Sequence, residues 1–160
     1  MGTKETHNMK PEIKMNLNGF DFDLQLFGVA NVLTTVGKGL VTGRLDATSG
    51  VTATLAPYVG FGTGAGTAAV GDTTLITELT TGTDPGYARS TGTGSQITTT
   101  VTNDTYQLQA TITAGGAIAL TEAGNFDAAT VGNLMVHSTF NTINLATNDQ
   151  LTVKLQVQFT

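Results

Sequence analysis

The chain has no cysteine, no tryptophan, only three prolines and only seven basic side chains among its 160 residues. Without cysteine there is neither a disulfide staple nor a thiol nucleophile, and the redox compartment stays open. The few Lys and Arg residues are scattered singly, the net charge is -5 and the pI is near 4.7. No basic stripe is present to neutralise phosphates, so direct nucleic-acid binding is not expected. The opening MGTKETHNMKPEIKM lacks an apolar run long enough for a signal peptide or a membrane span. Gly2 and Thr6 match a myristoylation pattern but no basic cluster adds a second anchor, so no membrane partner is expected.

In place of these residues the chain has 32 threonines and 20 glycines. Threonine is β-branched and sits well on a half-solvated sheet, while scattered glycine punctuates turns, so the mixture predicts an all-β chain of many short strands. The Val, Ile, Leu and Phe content and the modest charge argue against disorder. The length suits one domain with a single core.

Residues 1 to 11 are polar and aperiodic. Then Ile13, Met15 and Leu17 alternate with Lys14, Asn16 and Asn18; Gly19 shifts the phase, and Phe20, Phe22, Leu24 and Leu26 alternate with Asp21, Asp23 and Gln25. Alternation of period two gives one apolar and one wet face. At a chain end such a segment either begins the chain's own sheet or is laid on a neighbouring subunit by strand addition. The expected division is an extended N-terminal arm, 1–28, and a single β-rich domain, 29–160. One short helix is expected near residues 30–43. Val29, Val32, Leu33, Val36, Leu40 and Val41 recur there at steps of three and four, with Asn31 as N-cap. Gly37 and Gly39 each cost it about 1 kcal/mol, so packing must hold it.

Beyond Thr52, strands are expected at 55–61, 73–80, 87–89, 96–101, 105–113, 117–122, 134–143 and 151–159. Turns are expected at Asn103-Asp104, Gly115-Gly116, Gly124-Asn125 and Asn148-Asp149. In the last strand Leu151, Val153, Leu155, Val157 and Phe159 share one face; Tyr106, Leu108, Ala110 and Ile112 repeat the pattern. Strands at this spacing predict a β-sandwich or a jelly-roll-like barrel preceded by the arm.

Chemistry is sparse. Gly64-Ala65-Gly66-Thr67-Ala68-Ala69, with Asp84 further on, fits a dinucleotide fingerprint, but no helix opens from it, so it reads as a strand connection whose glycines allow close backbone approach. His7 and His137 lack metal-ligand spacing, and no nucleophile elbow is present. Asp21 and Asp23 read as solvated charges. Glu78 and Glu122 each end an apolar strand and would need Arg44, Arg89 or backbone N–H partners if buried. No catalytic residue, cofactor or metal is assigned, and no enzyme activity is expected.

Four stretches remain: Asn31-Val32-Leu33-Thr34-Thr35-Val36-Gly37-Lys38-Gly39-Leu40-Val41, Tyr58-Val59-Gly60-Phe61-Gly62-Thr63-Gly64, Asp72-Thr73-Thr74-Leu75 with Glu78, and Thr121-Glu122-Ala123-Gly124-Asn125-Phe126-Asp127. In this order they resemble a family of virion structural proteins of tailed bacteriophages, which share N-x-x-T-x-x-G-K, a GxGT turn, a D-T-x-L-x-x-E strand and a late T-E-A-G-x-F-D turn. The resemblance spans roughly residues 29–160. Asp23-Leu24-Gln25-Leu26-Phe27-Gly28 is similar to the N-L-Q-L-F-A start of many phage head proteins. This chain departs from the family in carrying Asn125, often leucine there, and in placing Arg89 late after Glu78.

The family includes small head proteins and the attachment domains of tail-collar fibres. The resemblance therefore implies a capsid decoration or cement protein on the virion surface, expected as a homotrimer that binds the major capsid protein. A tail or baseplate component is the alternative within the virion. A receptor- or carbohydrate-binding module is the alternative outside that class, although the chain offers no tryptophan and only Tyr58, Tyr87 and Tyr106 for stacking on sugars. The expected partner-binding residues are Ile13, Phe20, Phe22, Leu24, Leu26 and Phe27 of the arm.

Overall fold

The computed structural model describes residues 12–17, 20–25, 31–45, 56–80 and 87–159, with side chains from residue 31 onward except at 42–45. Two antiparallel five-stranded sheets face each other, as an all-β sandwich requires. The first runs β2 (Phe20–Gln25), β1 (Glu12–Leu17), β10 (Gln150–Gln158), β7 (Thr105–Thr113), β6 (Thr93–Ile97). The second runs β3 (Asn31–Leu33), β9 (Leu134–Leu145), β8 (Ile118–Phe126), β4 (Tyr58–Gly62), β5 (Ser90–Thr91).

The centre is a long two-stranded ribbon folded on itself. β7 pairs with β10 in one sheet, β8 with β9 in the other, and the ribbon bends between them. At the bend Ala114 N–H donates to Asp149 O (2.8 Å) and Asn148 N–H to Ala114 O (2.7 Å). Asn148 has φ 72°, which asparagine tolerates better than most residues. Alternation fills the core: Leu108, Ala110 and Ile112 of β7 and Leu151, Val153 and Leu155 of β10 are buried against Val59, Phe61, Leu120 and Ile143 of the opposite sheet. Each of these Leu, Ile, Val and Phe side chains contributes about 1.5–3 kcal/mol on burial. Phe159, expected to continue the row, lies past the end of β10 and is 45% exposed.

The backbone of β1 and β2 forms a hairpin on the edge of the first sheet. Its register sets Ile13 opposite Val153 and Met15 opposite Leu151, then Leu24 opposite Ile13 and Phe22 opposite Met15. Leu26 and Phe27, also expected to bind a partner, lie outside the described residues, as does Asp84.

The helix α1 spans Thr35–Leu45, later than expected, because Asn31 to Leu33 pair with β9 instead. Thr34, not Asn31, is the N-cap: its Oγ1 accepts the Gly37 N–H at 2.9 Å. Leu33, Leu40 and Val41 pack on Met135, Val136 and Val157. Gly37 is required by contact, since a Cβ there would run into the Met135 carbonyl.

Three other expectations need correction. Residues 73–80 form no strand and keep a single bridge, Gly62 with Glu78, because the N–H groups of Ile76 and Thr77 go to a carboxylate rather than to a neighbouring strand. Gly124-Asn125 is not a turn but lies within β8, opposite His137 and Val136. The strands expected at 87–89 and 96–101 fall instead at Ser90–Thr91 and Thr93–Ile97.

Candidate functional site

A cluster of buried polar groups lies on the outer side of the second sheet, under the connection from residue 63 to residue 79. A register shift between Leu120 and Glu122 in β8 sets which side chains reach it. Leu120 and Ala123 both join the core, whereas Glu122 meets the connection. Glu122 Oε1 accepts the N–H groups of Gly64 (3.0 Å) and Thr77 (2.7 Å), and Oε2 accepts that of Ile76 (2.9 Å). One carboxylate thus replaces a strand ladder for both limbs of the connection. Gly62 and Gly64 make room for it, because a Cβ at either would collide with Glu122 Oε1. Thr121 Oγ1 adds a hydrogen bond to Gly64 O at 2.8 Å.

His137 of β9 completes the cluster. Its Nε2 is 3.0 Å from Glu122 Oε2 and its Nδ1 2.6 Å from Asp72 Oδ2. His137 and Glu122 are fully buried, while the Asp72 side chain keeps 27% exposure. Both ring nitrogens face carboxylate oxygens that also accept backbone N–H groups. Burial would raise the Asp72 carboxyl, but the Ala69 N–H, the His137 hydrogen bond and the His137 charge hold it below its ordinary 3.8.

A second pair lies alongside. Arg89 Nε donates to Glu78 Oε1 at 2.5 Å and its NH2 to Glu78 Oε2 at 2.9 Å, a bidentate fork. Its guanidinium carbon sits 3.3 Å from the Phe126 ring centroid. Its remaining nitrogen donates to the carbonyls of Ala128 (2.8 Å) and Val131, which fixes the loop between β8 and β9. The Glu78 side chain is 19% exposed and that of Arg89 6%. The late position of Arg89 does not prevent the pairing, since β5 follows it at once and runs back beside β4.

The Glu122 oxygens are filled by three backbone N–H groups and an imidazole nitrogen. His137 stands between its two carboxylates, so the three do not converge on one point. Among the described residues no cluster of three or more His, Asp or Glu is arranged to hold a metal ion. The Gly64–Ala69 turn opens no helix and continues into the connection. No described helix is long and apolar enough to cross a membrane.

Sequence reasoning found Glu78, Glu122 and Arg89 and the need for backbone N–H or arginine partners. It missed the bond from His137 to Asp72, because the two are separated by 65 positions and no motif links them. The described partner residues Ile13, Phe20, Phe22 and Leu24 are brought together in one hairpin, in a different sheet from this cluster.

Comparison with known proteins adds no relative: no family model matches the chain, and neither a curated protein nor a solved structure matches it significantly.

Proposed function

We propose that the chain is a structural virion protein of a tailed bacteriophage that decorates the head and cements it by binding the major capsid protein lattice. The observation that carries this reading is that the four family-like stretches all lie on the second sheet or on the connection that covers it. Thr34 of the first caps α1 and is anchored on β9, where its N–H meets the Met135 carbonyl. Gly62 of the second clears Glu122 of the fourth. Asp72 and Glu78 of the third reach His137 and Arg89. Stretches scattered over the chain thus meet on one sheet, which supports treating their order as a shared design and not as chance. Their polar groups serve the fold, as in a protein whose work is adhesion.

A protein that binds only the assembled shell stabilises that shell by mass action. The contact is assigned to the N-terminal segment with Ile13, Phe20, Phe22, Leu24, Leu26 and Phe27. Among the described residues strand β2 is the outer member of its sheet, a position that suits strand addition by a capsid protein or a second copy. Two preparations test the assignment: a chain lacking residues 1–28, and a full-length chain with Phe20 and Phe22 both changed to Lys. Loss of occupancy on purified heads by both, with the double variant still folded, is the expected result. Full occupancy by either sinks it. A tail or baseplate role is the second reading within the virion, and binding to isolated tails but not heads would favour it.

A further inference from the structure

Among the described residues three buried side-chain oxygens have no hydrogen-bond partner in the protein: Asn31 Oδ1, Ser138 Oγ and Asn125 Oδ1. A buried polar atom left unpaired is costly, so folded proteins pair nearly all of them, with protein groups or with an ordered water. Two of the three are neighbours. Asn31 of β3 and Ser138 of β9 are directly opposite in the antiparallel register, which sets their Cβ atoms about 4.5–5.5 Å apart on one face. That face is the interior one. Ser138 also stands opposite Ala123, a core residue of β8, and Asn31 Nδ2 reaches across to the other sheet, donating to Gln156 O of β10 at 3.0 Å.

The bond to Gln156 fixes the Asn31 amide. Turned over, it would set oxygen against oxygen, so Asn31 Oδ1 is held as an acceptor that needs a donor. Ser138 offers a hydroxyl, which donates and accepts, yet no hydrogen bond joins the two residues directly. Both residues are only 1% exposed, which leaves bulk solvent unable to serve them. Asn125 stands one rung along, opposite Val136, on the diagonal from Ser138, so the directly opposite pair is the one that a single small molecule can join.

We propose that Asn31 Oδ1 and Ser138 Oγ bind one water molecule between the two sheets, as a fixed constituent of the fold. The water donates to Asn31 Oδ1 and shares a second hydrogen bond with the Ser138 hydroxyl, which meets the two-partner minimum for a buried water. Both ligands are neutral, which suits water and not an ion carried into the core without a countercharge. The bound water completes a row from Gln156 O through the Asn31 amide to Ser138 Oγ, joining β10 of one sheet to β3 and β9 of the other. Strand β3 comes directly after the N-terminal segment in the chain, so the row fastens the first strand of the second sheet from its interior side. The site does not depend on capsid binding and is tested on the free protein.

Two measurements on the full-length chain test the site. The first is a crystal structure at a resolution that shows ordered water, in which a water within hydrogen-bond distance of both Asn31 Oδ1 and Ser138 Oγ is expected. The second is the stability of Ser138→Ala in denaturant melts. A hydroxyl buried without a partner destabilises, so its removal would raise the ratio of folded to unfolded chain; a hydroxyl that holds a water stabilises, and its removal is expected to lower that ratio by about fivefold. A pair of oxygens with no water between them, or a Ser138→Ala variant as stable as the wild type or more so, overturns the proposal.

Discussion

Glu122 and His137 stand on neighbouring strands, β8 and β9, with Oε2 and Nε2 3.0 Å apart and no solvent-exposed side-chain surface on either residue. Through this contact the connection from 63 to 79 is fastened at two places: Glu122 takes N–H groups from both limbs, and His137 reaches Asp72 near its tip. The connection in turn buries Leu75 against Phe126 and Leu134. A polar clasp thus keeps a small apolar cluster dry on the outer side of the sheet.

Replacing Glu122 with Gln tests the clasp. An amide nitrogen cannot accept, so at whichever oxygen position it sits at least one buried backbone N–H loses its acceptor. The expected loss is about 1–3 kcal/mol. Hydrogen exchange should accelerate first at Gly64, Ile76 and Thr77, with β7 and β10 amides unchanged. Uniform acceleration across both sheets would contradict the assignment.

The glycines of the same region make a graded prediction. Gly62→Ala and Gly64→Ala place a Cβ against Glu122 Oε1, and overpacking of this kind costs about 1–3 kcal/mol. At Gly71 and Gly39 a Cβ meets nothing within 4 Å. Gly39→Ala, inside α1, should stabilise by up to about 1 kcal/mol, and Gly71→Ala should change little. Thermal melts of the four variants rank them directly.

The architecture was legible where alternation is regular. Leu108, Ala110, Ile112, Leu151, Val153 and Leu155 announce their shared face at period two, and β7 falls at the expected residues. The outer side of the second sheet was less legible for physical reasons. The shift between Leu120 and Glu122 breaks the period without any sequence signal, and the β-branched run after Asp72 looks like a strand although its N–H groups go to a side chain. Glycine spacing suggested close approach at Gly64 but not what approaches. Asn31 looked like a helix cap; its side-chain amide instead donates to Gln156 O at 3.0 Å, tying the two sheets together.

Acid should loosen the connection before the sandwich. Asp72 has a folded-state pKa below its ordinary 3.8, so the stability it contributes is present above that value and is lost as the pH falls through the depressed one. Asp104 behaves in the same sense: burial would raise it, but the N–H groups of Val101, Thr99 and Thr100 and the Gln158 amide hold it well below the usual carboxylate range. Asp72→Asn should weaken the pH dependence of exchange at residues 64–77 and leave the Asp104 loop unaffected. An unchanged profile at residues 64–77 would contradict the role given to Asp72.

The ion pair of Arg89 with Glu78 makes the last stability prediction. Arg89→Ala leaves a largely buried carboxylate without its partner and the carbonyls of Ala128 and Val131 without their donor. A cost of about 3 kcal/mol is expected, together with faster exchange in the loop at 127–133. Changing both residues, Glu78→Gln with Arg89→Met, should recover part of the loss, because no buried charge is then left unpaired. A double variant less stable than Arg89→Ala alone would contradict this account.

The most direct test of the proposed decoration role is a binding measurement with labelled full-length protein on separated heads and tails of a tailed phage. The account predicts saturable binding to heads, weakened by the Phe20 and Phe22 substitutions, and an increase in the temperature at which the heads open. Binding confined to tails, or no binding to either, would contradict it.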